Sequence, residues 1–287
     1  MDKLLKLEKK QRKKEIKEQK KALKAQEKKE RLELEEAYMQ DRLVEKEIYN
    51  DINAAKRQAY IEEMKPIWEE RKRKNEAPHL SILEEIGNAV SHGVGAILTV
   101  VALILLLMKS DTNLKIIASI VYCTAMFFMF FNSCLYHSWR WGSTVKRIWR
   151  RFDYSAIYLL IGGTFAPLFL IFLEQYNSTL AITLFILQWV VIIFGITMNG
   201  VFGPGRIKVL NYIIYFAVGW SGIVFIPFFI NYNITLLIYI LVGGIVYTLG
   251  MIPFAFKKIK VTHFIFHLVI LIACVIQFSG IFICLYL

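Results

Sequence analysis

Polar and apolar positions divide this chain into two blocks, and the border falls near Pro78. Before it the sequence is crowded with Lys, Arg and Glu, as in KEIKEQKKALKAQEKKERLELEE; beyond it nearly every position is apolar. The first block sets opposite charges at i,i+4 with only Pro66 to interrupt a helix, so residues 1–78 are expected to form a charged, mostly helical extension. Val44, Ile48, Ile52, Ala55 and Ala59 recur at steps of four and three. That weak stripe offers pairing with another helix, and hence homo-oligomers through the extension, although a solvated helix with frayed ends is the simpler expectation.

The second block is a membrane region. A span needs about twenty predominantly apolar residues, and seven such runs stand near 88–108, 115–138, 153–173, 179–199, 209–230, 234–256 and 262–285. The expected fold is an all-α membrane protein, a seven-transmembrane helical bundle over residues 79–287. Gly162, Gly163, Pro167, Pro227, Gly243, Gly244 and Pro253 fall inside these runs, where small residues let helices approach and prolines bend them.

Loop charge assigns sides. Arg140, Lys146, Arg147, Arg150 and Arg151 follow the second run, Arg206 and Lys208 the fourth, and Lys257, Lys258 and Lys260 the sixth. The intervening loops hold few basic residues or none. Because cytoplasmic loops retain Lys and Arg, the N-terminus is expected in the cytoplasm and the C-terminus outside the cell membrane, which an odd number of spans requires. Trp139, Trp141 and Trp149 beside the most basic loop fit the inner head-group level, and Arg71, Lys72, Arg73 and Lys74 can rest on anionic lipid just before the first span.

The formal charge of +12 would also suit a nucleic-acid partner, but the extension mixes Glu almost evenly with Lys and has no aromatic residue between the basic clusters that precede Tyr38. Nucleic acid is therefore excluded, and membrane lipids remain the expected partners. Cys123, Cys134, Cys274 and Cys284 lie inside apolar runs without a CxxC pair and read as small packing residues. The charged N-terminus does not read as a signal peptide.

Ionisable residues within spans are costly and call for a partner or a role. Here they form one set: His92 in the first span, His137 ending the second, Asp153 opening the third, and His263 and His267 opening the seventh. With the sides assigned above, all five converge on the cytoplasmic end of the bundle. His263 and His267, four apart, present both imidazoles on one helix face and can share one ion. His137 can supply a third nitrogen, leaving a fourth position for water. Asp153 would orient or deprotonate that water, with Ser133 close by. Hydrogen bonding of the histidines to one another or to carbonyls is the alternative.

The residues resemble the hemolysin III group of the progestin and adipoQ receptor (PAQR) superfamily. The matches are Glu85-IG-Asn88-AV-Ser91-His92-G, Ser133-CLY-His137, FDYSAIYLLIGGTFAP from Phe152, GGIVYTLGMIPFAF from Gly243, and His263-FIF-His267, together spanning roughly residues 80–287. The resemblance implies zinc on His137, His263 and His267, with Asp153 and Ser133 as catalytic residues around the zinc-bound water. It also implies a supporting or structural role for Glu85, Asn88 and His92. Phe264 and Gln277 depart from the Glu and His that many bacterial members carry, and neither position is a zinc ligand in the pattern. Two functions follow: a zinc-dependent hydrolase of lipid amides, similar to ceramidases, or the pore-forming cytolysin of the family name. A non-catalytic sensor of membrane state is a third. Polar residues gathered on one side speak against an intrinsic channel.

Overall fold

In a computed structural model, the backbone of residues 2–255 and 261–287 is described, and the side chains of residues 1–4, 6 and 253–260 are not. Lys257, Lys258 and Lys260 and the side chain of Pro253, used above, therefore lie outside the described residues. The chain forms two units, Met1–Glu70 and Arg71–Leu287.

Within the first unit, helix α1 (Asp2–Lys74) exposes nearly all of its described side chains. Pairs such as Lys29–Glu33 and Arg31–Glu35 close at i,i+4 on its surface; each adds only a few tenths of a kcal/mol. Val44, Ile48 and Ile52 are exposed as well.

The second unit contains α2 (Ile82–Met108), α3 (Asn113–Ser138), α4 (Thr144–Pro167), α5 (Ser178–Phe202), α6 (Lys208–Gly219), α7 (Ile226–Tyr232), α8 (Ile234–Ala255) and α9 (Thr262–Leu285). A π-helical turn, Leu168–Leu173, continues α4, and a 3₁₀ segment, Ser221–Phe225, joins α6 to α7. There are no strands among the described residues. These elements form seven helices long and apolar enough to cross a membrane.

The third span, Thr144–Leu173, is the central one. Of its apolar stretch 83% is buried, against 17–44% in the other six. Close approach explains the small residues: a Cβ on Gly163 would collide with Ala125 of α3, one on Gly162 with Ile192 of α5, and one on Gly195 with the ring of Tyr158. Such contacts replace the hydrophobic drive that lipid does not supply.

Two spans begin earlier than their apolar runs. α2 starts at Ile82 rather than near 88, and α4 at Thr144 rather than near 153. Ser81 caps α2 in a complete capping box with Glu84, and Ser143 caps α4 through the Lys146 amide. Caps satisfy the free N–H groups of the first turn, so helix continues below the hydrophobic boundary. The additional turns carry Glu85, Lys146 and Arg150 into the bundle.

Candidate metal centre

The centre is assembled at the end of the bundle where α2, α4 and α9 begin and α3 ends. On α9 the four-residue spacing places the Nε2 atoms of His263 and His267 3.2 Å apart. The last turn of α3 brings His137 Nε2 to 3.3 Å from His263 Nε2. The three nitrogens that could ligate an ion all lie within 4.8 Å of one another. His137 and His267 are buried, and His263 is half-buried.

Glu85, in the first turn of α2, sets the protonation of this cluster. Its Oε2 accepts from His137 Nδ1–H at 2.6 Å, and its Oε1 accepts from Lys146 Nζ at 2.7 Å. A neutral imidazole carries one N–H, so donation from Nδ1 leaves Nε2 as a lone pair facing the other two histidines. His263 can donate to one of its two neighbours but not to both. The cluster therefore holds at least one lone pair that no imidazole satisfies, and mutual hydrogen bonding does not complete it. An electrophile does. The edge of a tetrahedron built on ~2.0–2.1 Å metal–nitrogen bonds is roughly 3.3 Å, which the two separations from His263 match, while the His137–His267 pair lies within 4.8 Å. These three residues can hold a metal ion, and the carboxylate on the far nitrogen is the usual support for a ligating histidine.

Lys146 is 1% exposed. Besides Glu85 it donates to the Trp139 carbonyl at 3.1 Å and lies over the Tyr136 ring, 4.8 Å from its centroid. Arg150, one turn on, is buried too and donates to the carbonyls of Asn75 and Glu76 at 2.9 and 3.0 Å. Both residues read as loop charges in the sequence, because the hydropathy boundary hides the first turns of α4. Glu84 was also unmarked: beyond its cap it accepts from the Val261 amide at 2.6 Å. Val261, a β-branched residue at φ 69°, introduces α9. That bond ties the start of α2 to the start of α9, two residues before His263.

The remaining sequence candidates gather at the same place. Asn88 is fully buried with its Nδ2 3.4 Å from His137 Nδ1. His92 is outside the trio; its ring packs on that of His267 with centroids 3.9 Å apart. Ser133 and Asp153 lie together on one cavity wall, and the positive charges of Arg150 and Lys146 act on the Asp153 carboxylate. Ser133, Asp153, His92, His263 and His267 all line one cavity of about 160 Å³, well above the ~10–15 Å³ that holds a single water. Away from this polar end its walls are mostly apolar, with Ile157, Leu160, Ile161, Phe165, Phe216 and Ile270, and with Thr164, Thr248 and Gln277 among them.

A family profile described as "Haemolysin-III related" matches residues 80–278. The chain belongs to the haemolysin III family. That family is part of the PAQR superfamily, as the motifs implied. A relative named "Hemolysin-3", from Bacillus cereus, is 37% identical over 194 residues, covering 66% of this chain and 86% of its own length. "Hemolysin-3 homolog", from Bacillus subtilis (strain 168), is 31% identical over 191 residues, covering 65% and 87%. The matched region contains every residue of the centre, and most of the charged extension lies before it. Of the two departures from the pattern, Phe264 lays its ring against Gly87 of α2. Gln277 lines the cavity and donates to the Ile240 carbonyl at 3.4 Å.

Proposed function

We propose that this haemolysin III protein is a zinc-dependent hydrolase of lipid amides that works from the cytoplasmic face of the cell membrane. The observation that carries the reading is a tri-histidine cluster, tautomer-set by Glu85, opening beside a Ser133–Asp153 pair into an apolar cavity within the bundle. Three imidazoles and no thiolate suit zinc with an open position, and zinc supplies a Lewis acid that lowers the pKa of water to about 7 and polarises a carbonyl.

The chain's own residues do the rest. Asp153, beside Ser133 on the cavity wall, accepts the proton of the attacking water and returns it to the leaving amine. Glu85 keeps His137 in the ligating tautomer. The apolar walls orient the acyl chain with its carbonyl at the histidines and keep bulk water out, so that charge developing there is poorly screened.

The cytoplasmic assignment rests on loop charge. Lys146 and Arg150 are taken up inside the bundle, yet Arg140, Arg147, Arg151, Arg206 and Lys208 remain on the site's face against Lys109 and Lys115 on the other. The name of the relatives favours a second reading, a lytic pore. A pore needs polar lining through the full depth, whereas most of the wall of this cavity is apolar.

Purified full-length protein should contain one zinc per chain and release fatty acid from amide lipids. His137→Ala should lose both. Asp153→Asn should keep the metal while losing most of the turnover, since general acid–base groups contribute typically 10²–10⁴-fold. Equal cleavage by wild type and His137→Ala would sink the hydrolase, and dye leakage from liposomes that persists in that variant would favour the pore.

A further inference from the structure

The cavity runs along α4 from Asp153 to Phe165, twelve residues or roughly 18 Å of helix. Phe165 and Gln277 stand toward its far end. Phe165 lines this cavity and also a second, smaller one of about 20 Å³ directly beyond it. The smaller space is bounded by Leu168, Phe169, Phe172 and Leu173, by Gly222 and Phe225, and by Phe229 and Ile240. Those residues are unusual in their backbone. Leu168–Leu173 is the π-helical turn of the third span, closed by a Glu174 amide that reaches back to the Phe169 carbonyl at 3.0 Å. Gly222 and Phe225 belong to the 3₁₀ segment that breaks the fifth span.

Interruptions of this kind are tolerated at membrane depth where protein or a cavity covers them, and π-bulges concentrate at functional sites. Here both face the same small space, with Phe165 between it and the main cavity. The ring is backed by Gly222, where a Cβ would stand only 3.2 Å from Phe165 Cε1. On its other side the ring packs against Phe169, with centroids 5.4 Å apart.

We infer that Phe165 is the floor of an acyl-chain site and that, with Gly222 behind it, it sets the length of chain the protein accepts. The inference rests on the proposed reading in taking an acyl lipid as the occupant, and it concerns specificity rather than chemistry. Removing the ring joins the two spaces, so the accepted chain lengthens. Adding a methyl group at Gly222 presses the ring toward the main cavity, so the accepted chain shortens. Each methylene gained or lost from the buried part changes relative affinity by about fourfold.

The test is binding of a graded series of saturated fatty acids, from medium to very long chain, to purified full-length protein. Wild type should show a cut-off in length. Phe165→Ala should move it to longer chains and Gly222→Ala to shorter ones. Phe165→Leu, a milder change that keeps most of the packing, should give a smaller shift in the same direction as Phe165→Ala and serves if that variant does not fold. The idea is overturned if folded variants bind the series with the wild-type profile, or if wild type binds no fatty acid. Amide hydrolysis measured on the same samples separates the two claims: a movable cut-off without fatty acid release removes the hydrolase and leaves the floor in place.

Discussion

The two ends of the bundle are held together by different chemistry. At the end that carries the three histidines, charged groups are taken inside: Glu85 joins α2 to His137 of α3 and Lys146 of α4, Arg147 pairs with Glu76 at 3.1 Å, and Arg150 clamps the chain before α2. At the opposite end most of the bonds are neutral, although the Lys115 ammonium lies 5.7 Å from the Tyr286 ring centroid. Ser119 meets the Tyr286 hydroxyl at 2.8 Å, Ser110 bonds the Leu106 carbonyl at 2.8 Å, and the rings of Tyr176 and Tyr232 stack 3.9 Å apart. The ion pair at that end, Lys115–Asp111, has its carboxylate in solvent. Neutral contacts can be lost one at a time at small cost, while buried charges depend on one another and fail together. The costly arrangement stands where the three histidines meet, and on the proposed reading it orients them.

The largest break in this contrast should come from Glu85→Ala. It leaves Lys146 buried with only a carbonyl and a ring for partners, a situation that typically costs about 3–5 kcal/mol. It also frees the His137 tautomer, which should weaken metal affinity about 10–100-fold. Thermal unfolding in detergent and metal titration read the two effects separately. Adding Lys146→Met should recover much of the stability and none of the metal affinity, because the orphaned charge is gone while His137 still lacks its acceptor. Recovery of both would show that Glu85 acts only by pairing with Lys146.

A smaller effect is expected at the rim of the same end. Asn75 donates to the Phe202 carbonyl at 3.1 Å and accepts from the Gly205 amide at 3.2 Å, pinning the turn between α5 and α6, where Gly203 sits at φ +78°. Asn75→Ala should cost about 1–2 kcal/mol for the two bonds and accelerate amide hydrogen exchange across residues 203–207. Metal content should not change, since the Arg150 clamp holds the backbone carbonyl of Asn75 rather than its side chain. Loss of metal in this variant would mean that the rim and the centre form one cooperative unit.

The contrast between the ends was partly readable in the sequence. Seven apolar runs and five ionisable residues inside them sufficed for the bundle and for the meeting of His137, His263 and His267, because burial of such groups is too costly to be incidental. Glu85 and Asn88 entered only through family motifs, and His92 was counted among the five without a role of its own. Their roles were absent from the sequence because a hydrogen bond such as Glu85–His137 joins positions on different helices. Lys146 and Arg150 were read as loop charges for a different reason. Hydropathy finds where the apolar run begins, while Ser143 starts the helix well before it. The π and 3₁₀ segments were suggested only by Pro167 and Pro227. A proline announces a bend, but the direction in which the backbone yields depends on the neighbours it meets.

The smallest effect should come from the neutral end. Tyr286→Phe removes one hydroxyl that bonds Ser119 at 2.8 Å and the Lys115 carbonyl at 3.2 Å. Ser119 keeps its own bond to that carbonyl at 2.7 Å, so no buried donor is stranded, and the loss should be about 0.5–1.5 kcal/mol. Burial pushes the Tyr286 hydroxyl up to about 12. It therefore remains protonated below that pH in the folded protein, and the difference between variant and wild type should be the same at pH 6 as at pH 8. Metal content and fatty acid release should both be untouched, because no charge links this end to the histidines. A loss of metal in Tyr286→Phe would show that the ends are coupled through the length of α9, and the division of labour between them would then have to be abandoned.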